Sequence, residues 1–412
     1  MQVDNSTPVL LMCCNTPVGA IGALRSLGRL GIPVYAIDRE RRGRVWSSHY
    51  CVDCFEWDPL NSSPEQSLKR LLEVGHRLKR RTLLVPTFDE AAIFVARHCD
   101  ALREFFICPR QGAELIRSLV SKKESYFLAR RCGVPVPHAV WPQSRQEVLE
   151  FLERAQFPVA LKAIRGLRLK LKAGITAFIV RSAHELIELY DRFEDQAQPN
   201  LMIQEYIPGT DNCGWGFNGY FDSRSQCLLG RTTRRLHQKP VHVGVTSLAV
   251  IERNEAVDSS AREFMAAIGF CGMVNIGFRY DARDNQYKLV DVNPRLGASF
   301  RSFVTRNGLD VLRACYLDLT GQNIPQAAPM EGRKWLLELD ILSCLAYHKE
   351  GQSFPSLLAS YRGVGEFAYF SLTDPLPLLS MCLSGGSRPL WRWLNSSRPR
   401  SSEAKTNSAF GA

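Results

Sequence analysis

The chain has no uncharged apolar run of about eighteen residues, so no membrane-spanning helix is expected from it. Its opening, MQVDNSTPVLLMCC, carries Asp4 and no basic stretch, which argues against a secretory signal. It also lacks a cysteine framework: the thirteen cysteines are odd in number and irregularly spaced, a pattern of reduced thiols rather than disulfides. Cys51 and Cys54 form a CxxC pair, but no second Cys or His pair stands at zinc-ligand spacing. No zinc finger or RRM-like aromatic signature accompanies the net charge of +11, so no nucleic-acid partner is expected. These absences describe a cytoplasmic protein, and nothing in the sequence fixes its oligomeric state.

What is present is enough apolar material, 45% of 412 residues, for a substantial core and more than one domain. The positive excess sits in local runs at 39–44, 165–172, 231–239 and 388–400. Such runs are solvated faces, or they serve an anionic surface or a phosphorylated small substrate.

Residues 8–13 read as an apolar strand, 15–22 as a turn with two glycines, 20–30 as an amphipathic helix and 32–38 as a second strand ending in Asp38. Further strands at 82–86 and 105–108, with a helix at 89–99 between them, make the expected architecture doubly wound α/β. Gly19, Gly22 and Asp38 suggest a dinucleotide fingerprint and hence a nicotinamide-dependent oxidoreductase. The first glycine of that triplet is missing, however.

The middle of the chain carries groups suited to phosphate. Lys122 opens a predicted helix over 119–131, where a cation opposes the helix dipole unless it serves an anion. Lys162 is the lone charge in the apolar strand 157–163, either snorkelling from an edge or facing an anion. The loop after it, with Arg165, Arg168, Lys170 and Lys172 between glycines, reads as a mobile flap or, by its leucine alternation, as an exposed hairpin strand. Residues 201–209 form a strand that breaks at Pro208-Gly209, with Asp211 just beyond.

The stretch 274–299, VNIGFRYDARDNQYKLVDVNPRLGAS, reads as a β-hairpin with its turn near Arg283 and Asp284. Strand alternation puts Asp291 and Asn293 on one face, where a carboxylate and an amide oxygen suit a hard cation such as Mg²⁺. Arg295 follows, a planar donor pair suited to phosphoryl oxygens. Read blandly, these residues merely end a surface hairpin.

In order, SKKESYFLARRCGVPVP, FPVALKA, MIQEYIPGTD, HVGVTS and KLVDVNPRLG resemble the ATP-grasp superfamily, and within it the carboxylate–amine ligase-like members, over residues 9–320. The resemblance implies an α/β (α+β) protein: an N-terminal doubly wound α/β domain at 1–115, then an ATP-grasp domain of two α+β subdomains at 116–320. Within the latter, the lid lies at about 135–200 and the metal and hairpin subdomain at about 201–320. A C-terminal extension at 321–395 and a disordered tail at 396–412 complete the layout. It implies that Lys122 and Lys162 contact ATP phosphates, that Glu205, Tyr206 and Ile207 form the adenine hinge, and that Asp211 takes the ribose. It implies Asp291 and Asn293 as ligands of Mg²⁺, or of Mn²⁺ in its place, and Arg295 as the catalytic arginine. The segment 231–247, with Arg235 and His242, would face a small-molecule carboxylate or amine, or else be a solvated connector.

The implied activity is ATP-dependent: a carboxylate becomes an acyl phosphate, an amine attacks it, and ADP and phosphate are released. Two departures from the family pattern stand out. Gly277 occupies a position where a metal-binding Glu is usual, and the flap is unusually basic. They keep open an alternative, an ATP-binding sensor or scaffold without catalysis.

Overall fold

The computed structural model describes residues 2–14, 17–40, 43–59, 61–242, 244–326 and 328–385. The start of the expected turn at 15–22, part of the basic run 39–44, the segment 386–394 with Trp391 and Trp393, the run 388–400 and the tail 396–412 lie outside the described residues.

The N-terminal unit contains β1 (Val9–Met12), α1 (Pro17–Gly28), β2 (Val34–Asp38), β3 (Cys51–Glu56), α2 (Pro64–Leu78), β4 (Thr82–Pro86), α3 (Asp89–Leu102) and β5 (Phe106–Ile107). The strands make an all-parallel sheet in the order β3-β2-β1-β4-β5, the doubly wound pattern. Alternation along buried β1 builds both faces. Val9 and Leu11 pack with Leu24 and Leu27 of α1, whereas Leu10 and Met12 pack with Leu71 and Val74 of α2 and Val95 of α3. Gly19 and Gly22 lie inside α1 rather than in a turn. A Cβ on Gly19 would sit 3.3 Å from the Ala298 backbone and one on Gly22 3.1 Å from the Phe300 ring, so these glycines admit the segment after the hairpin. That close packing accounts for the glycines without a nicotinamide cofactor.

Next come α4 (Ala113–Val120), α5 (Lys122–Arg131), β6 (Ala139–Val140), α6 (Arg145–Leu152), β7 (Val159–Ala163), α7 (Gly166–Ala173), β8 (Ala177–Val180), α8 (Ala183–Phe193) and β9 (Leu201–Glu205). Their strands form a separate four-stranded sheet in the order β6-β9-β7-β8. β9, expected in the hairpin subdomain, therefore belongs to the lid sheet, where it pairs with both β6 and β7. The basic segment after Lys162 is neither loop nor hairpin strand but helix α7, which turns Leu169 into the lid core and ends at left-handed Gly174 (φ 77°).

The largest sheet has seven strands in the order β14-β13-β10-β11-β12-β15-β16. It uses β10 (Gly214–Phe221), β11 (Cys227–Lys239), β12 (Val245–Ile251), β13 (Gly272–Asp281), β14 (Gln286–Asn293), β15 (Lys334–Leu336) and β16 (Val364–Phe367). The helices of this part are α9 (Glu255–Ala267), α10 (Val311–Leu319), α11 (Cys344–Lys349), α12 (Phe354–Ser360) and α13 (Leu376–Gly385). Segment 231–247 is therefore no connector: most of it is strand, and its long β11 pairs on both sides. Residues beyond 320 add β15 and β16 to this same sheet. Leu312 and Tyr316 of α10 return to the core around β1 and α1, so the first domain's core is completed by late chain.

Candidate active site

The hairpin turns at 282–285, with Asp281 paired to Gln286. Its register sets Asn275 opposite Asn293 and Gly277 opposite Asp291. Phe278 then pairs with Leu289, leaving Val290 as a one-residue bulge. Directly opposed residues share a face, so Asn275, Gly277, Asp291 and Asn293 look one way. Ile276, Phe278, Leu289 and Val292 fill the core on the other side.

Ser121 caps α5, and the Lys122 N–H donates to the Ile164 carbonyl at 3.0 Å, fixing the helix start against the end of the lid strand. From there Lys122 Nζ donates to Asp291 Oδ1 at 2.5 Å, which supplies the anion that a lysine at a helix N-terminus requires. Burial alone would raise the Asp291 carboxyl. Lys122, the Asn293 amide (Nδ2 to Oδ2, 2.8 Å) and Lys162 overcome it and hold the group down, to about 2. In Lys162 it is the charged form that is disfavoured: burial and then the charge of Lys122 push its ammonium down to about 8. Its Nζ bonds the neutral Gln204 Oε1 at 2.5 Å and no carboxylate among the described residues, so an anion there would be stabilised by a charge not yet neutralised.

The hinge is braced from the hairpin. Arg279 donates from Nε to the Ile207 carbonyl at 2.8 Å and from Nη2 to the Gly209 carbonyl at 2.7 Å. Arg283 joins Glu205 to buried Asp281, which also takes Lys288 Nζ at 2.7 Å. The side-chain hydrogen bonds of Arg283 and Lys288 hold the Asp281 carboxyl far below its usual range, with burial opposing them. No hydrogen bond from the Tyr206 or Ile207 N–H occurs among the described residues. Both residues line a cavity of about 590 Å³ together with Lys122, Lys162, Arg235, Asp291, Asn293 and Arg295.

Asp211 does not join this group as a ribose acid would. It is 4% exposed and its oxygens are taken by His242 Nδ1, at 2.9 Å, and by the Tyr347 hydroxyl. His242, at φ 64°, lines the cavity while its Nε2 meets Glu350 at 2.7 Å. Burial works against its proton, but the two carboxylates prevail and raise its pKa. Arg235 bonds Thr246 Oγ1 at 3.0 Å and no carboxylate among the described residues. Arg295 is less free than the sequence suggests, because its Nε donates to Asp89 at 2.7 Å and its Nη2 to Asn293 Oδ1 at 2.9 Å.

Sequence reasoning missed Gln204, Asp89, Arg279 and Arg283. Gln204 sits directly before the hinge on a strand, a hint available from the sequence. Asp89 looks like any acid in a first helical turn, and nothing local ties it to Arg295. Among the described residues no three His, Cys, Asp or Glu side chains cluster as a metal cage. The oxygens on offer are one carboxylate, Asp291, and the amides of Asn293 and Asn275. That hard, sparse set suits an ion such as Mg²⁺, which keeps waters and substrate phosphates among its ligands.

Residues 122–315 match the family model described as carbamoyl-phosphate synthase L chain, ATP binding domain. The D-aspartate ligase of Enterococcus faecium is 29% identical over 268 residues, which cover 63% of this chain and 63% of that one, less than two thirds of the relative. The arginine-specific carbamoyl phosphate synthase large chain of Geobacillus stearothermophilus is 23% identical over 199 residues, covering 46% of this chain and 17% of its own. Among solved structures, the N5-carboxyaminoimidazole synthetase of Staphylococcus aureus complexed with ADP superposes with a TM-score of 0.62 at 13% identity, over 85% of this chain and 88% of that one. An L-amino acid ligase from Bacillus licheniformis gives 0.59 at 15% identity, over 80% and 76%. At such identities the likeness is one of fold. No helix among the described residues is long and apolar enough to cross a membrane.

Proposed function

From the premise that residues 122–315 belong to the ATP-grasp superfamily, we propose that this protein is an ATP-dependent carboxylate–amine ligase. The observation that carries the reading is the meeting of Lys122, Lys162, Arg235, Arg295, Asp291 and Asn293 around one cavity that the hinge residues 205–207 also line. A carboxylate oxygen attacks the γ-phosphorus of ATP and ADP leaves. The amine then attacks the acyl carbon, phosphate leaves, and the nitrogen loses a proton. Phosphoryl transfer of this kind is chiefly positioning and charge stabilisation. In this chain Lys162 and Lys122 hold phosphate charge, Ile207 offers its N–H to the adenine edge, and Arg295, oriented by Asp89, steadies the transferring group. Arg235, with no carboxylate partner among the described residues, receives the substrate carboxylate. Asp291 and Asn293 would hold Mg²⁺, or Mn²⁺ in its place, which supplies charge to the phosphate oxygens.

Two similar proteins are named as amino acid ligases, so an amino acid is the first candidate for one of the small-molecule substrates. We read 116–320 as the catalytic unit, with the lid extended to Glu205, and the cytoplasm as its place of work because ATP is consumed. A catalytically silent scaffold finds its support in Gly277, but the ligase names among the relatives weigh against it. The test is ADP release with Mg-ATP over pools of carboxylates and amines, with mass detection of products. Product masses equal to acid plus amine minus water are expected. ADP release that no acid–amine pair stimulates would refute ligation.

A further inference from the structure

Cys51 and Cys54, the pair whose spacing stands out in the sequence, do not behave as a reactive dithiol. Cys51 is buried, its Sγ donates to the Asp53 carbonyl at 3.5 Å, and burial pushes its thiol up to about 12. A thiol that keeps its proton so firmly is a small apolar filler rather than a nucleophile. Cys99 and Cys108, which no motif joins, differ from it. Cys99 stands in the last turn of α3 and Cys108 directly after β5. Their sulfurs lie 3.2 Å apart and share one hydrogen bond, and each residue is partly open to solvent.

The surroundings give the two sulfurs different roles. Cys108 packs against the core that contains Leu102 and Phe106, whereas Cys99 feels the charges of Arg110 and Arg103. The hydrogen bond from Cys108 therefore favours Cys99 as the thiolate and brings it down to about 7; burial and Asp100 oppose this, and the two arginines assist. The same bond, and then burial, raises Cys108. A readily ionised thiol touching a protonated one is the arrangement of an attacking cysteine and its resolving partner. Such pairs remain reduced in a reducing compartment and close only transiently.

We propose that Cys99 and Cys108 form a reversible oxidation site for hydroperoxides, at which the two thiols close to a disulfide. The Cys99 thiolate attacks one oxygen of hydrogen peroxide, the O–O bond breaks, and the released hydroxide takes up a proton to become water. Cys99 is then a sulfenic acid. Its oxidation removes the thiolate that retained the Cys108 proton, so the Cys108 sulfur attacks that of Cys99, the S–O bond breaks, and hydroxide leaves as water with the Cys108 proton. Each thiol has given up one electron, and the peroxide has been reduced to two waters. The new bond ties β5, an edge strand of the first sheet, to helix α3, and a thiol reductant reverses it by exchange.

This inference is independent of the ligase reading and is tested without turnover. The reduced full chain is treated with hydrogen peroxide at doses near its own concentration, remaining thiols are blocked with iodoacetamide, and tryptic peptides are weighed. Trypsin cuts after Arg97, Arg103 and Arg110, leaving each cysteine on its own peptide, 98–103 and 104–110. Expected is a linked pair of these peptides, lighter by two hydrogens than their sum and separated again by dithiothreitol. In Cys108→Ser the link should be lost and dimedone should label Cys99, the sulfenic acid having no partner. In Cys99→Ser the Cys108 thiol should stay open to iodoacetamide. The proposal is overturned if both parent cysteines remain alkylated while Cys382, exposed on α13, is oxidised. Failure of dimedone to label Cys99 in a Cys108→Ser variant with parental circular dichroism overturns it as well, and the parent result stands without either variant.

Discussion

Gly277→Glu offers a sharp test of the metal placement. Gly277 lies directly opposite Asp291, and a Cβ built on it would meet Val290 Cγ2 at 3.5 Å and Asp291 Cβ at 3.7 Å, ordinary contact distances. Its φ is not positive, so a side chain enters without backbone strain. The new carboxylate would stand about 5 Å from that of Asp291. At an effective dielectric of about 20 this repulsion is about 3 kcal/mol, and with Asp291 38% exposed and Lys122 bonded to it, about 1 to 2 kcal/mol survives. The metal-free variant should therefore melt a few degrees lower than the parent. A divalent ion held by both carboxylates removes the repulsion and gains a ligand, so the Mg²⁺ concentration at half-saturation should fall about tenfold, the equivalent of about 1.4 kcal/mol. The assay is a Mg²⁺ titration of thermal stability and of calorimetric binding with a non-hydrolysable ATP analogue. An unchanged or weaker Mg²⁺ dependence in a variant with parental circular dichroism would refute the placement of position 277 beside the ion.

Lys162→Ala should lower Mg-ATP affinity by about tenfold or more, since a charge-assisted contact of about 1.5 to 3 kcal/mol is lost; a dissociation constant within twofold of the parent would remove Lys162 from the phosphate site. Because its pKa is depressed to about 8, the free protein's Lys162 loses its charge as pH rises through 8, so ATP affinity should fall between pH 7 and pH 9 in the parent and stay flatter in Lys162→Ala, as read by calorimetry. For stability the sign is opposite, because above about pH 8 the unfolded chain keeps a proton there that the folded chain has released, and this group's contribution rises with pH. Arg295→Lys should leave ATP binding within a few-fold and cut kcat by about a hundredfold, because an ammonium cannot reproduce the planar two-donor fork; near-parental kcat would exclude the role. Asp89→Ala, which frees the guanidinium of Arg295 from its 2.7 Å partner, should lower kcat more than it changes KM, and equal effects on both would count against a positioning role.

Strand periodicity alone placed Asp291 and Asn293 on one face, because alternation is a property of the extended chain and needs no partner. The turn near Arg283 likewise brought Gly277 level with Val290 and Asp291, since antiparallel register follows from where the chain reverses, but the bulge at Val290 that sets it directly opposite Asp291 was not legible in the sequence. The lone charge of Lys162 in an apolar strand marked it for the same local reason. Contacts made by residues distant in sequence escaped that reading. Nothing near Asp89 indicates that it holds Arg295, and nothing near Asp211 indicates that Tyr347 and His242 close over it, so a residue read as open to ribose is buried instead. The basic segment 166–173 shows the limit most plainly. Its leucine–cation alternation fits a strand as well as a loop, and helix α7 forms because Leu169 finds the lid core, a partner that exists only once β7, β8 and β9 have assembled. Local periodicity determined which faces the side chains take; only the assembled sheets decided which of those faces meet, because burial and ion pairing depend on distances between elements that the linear order does not contain.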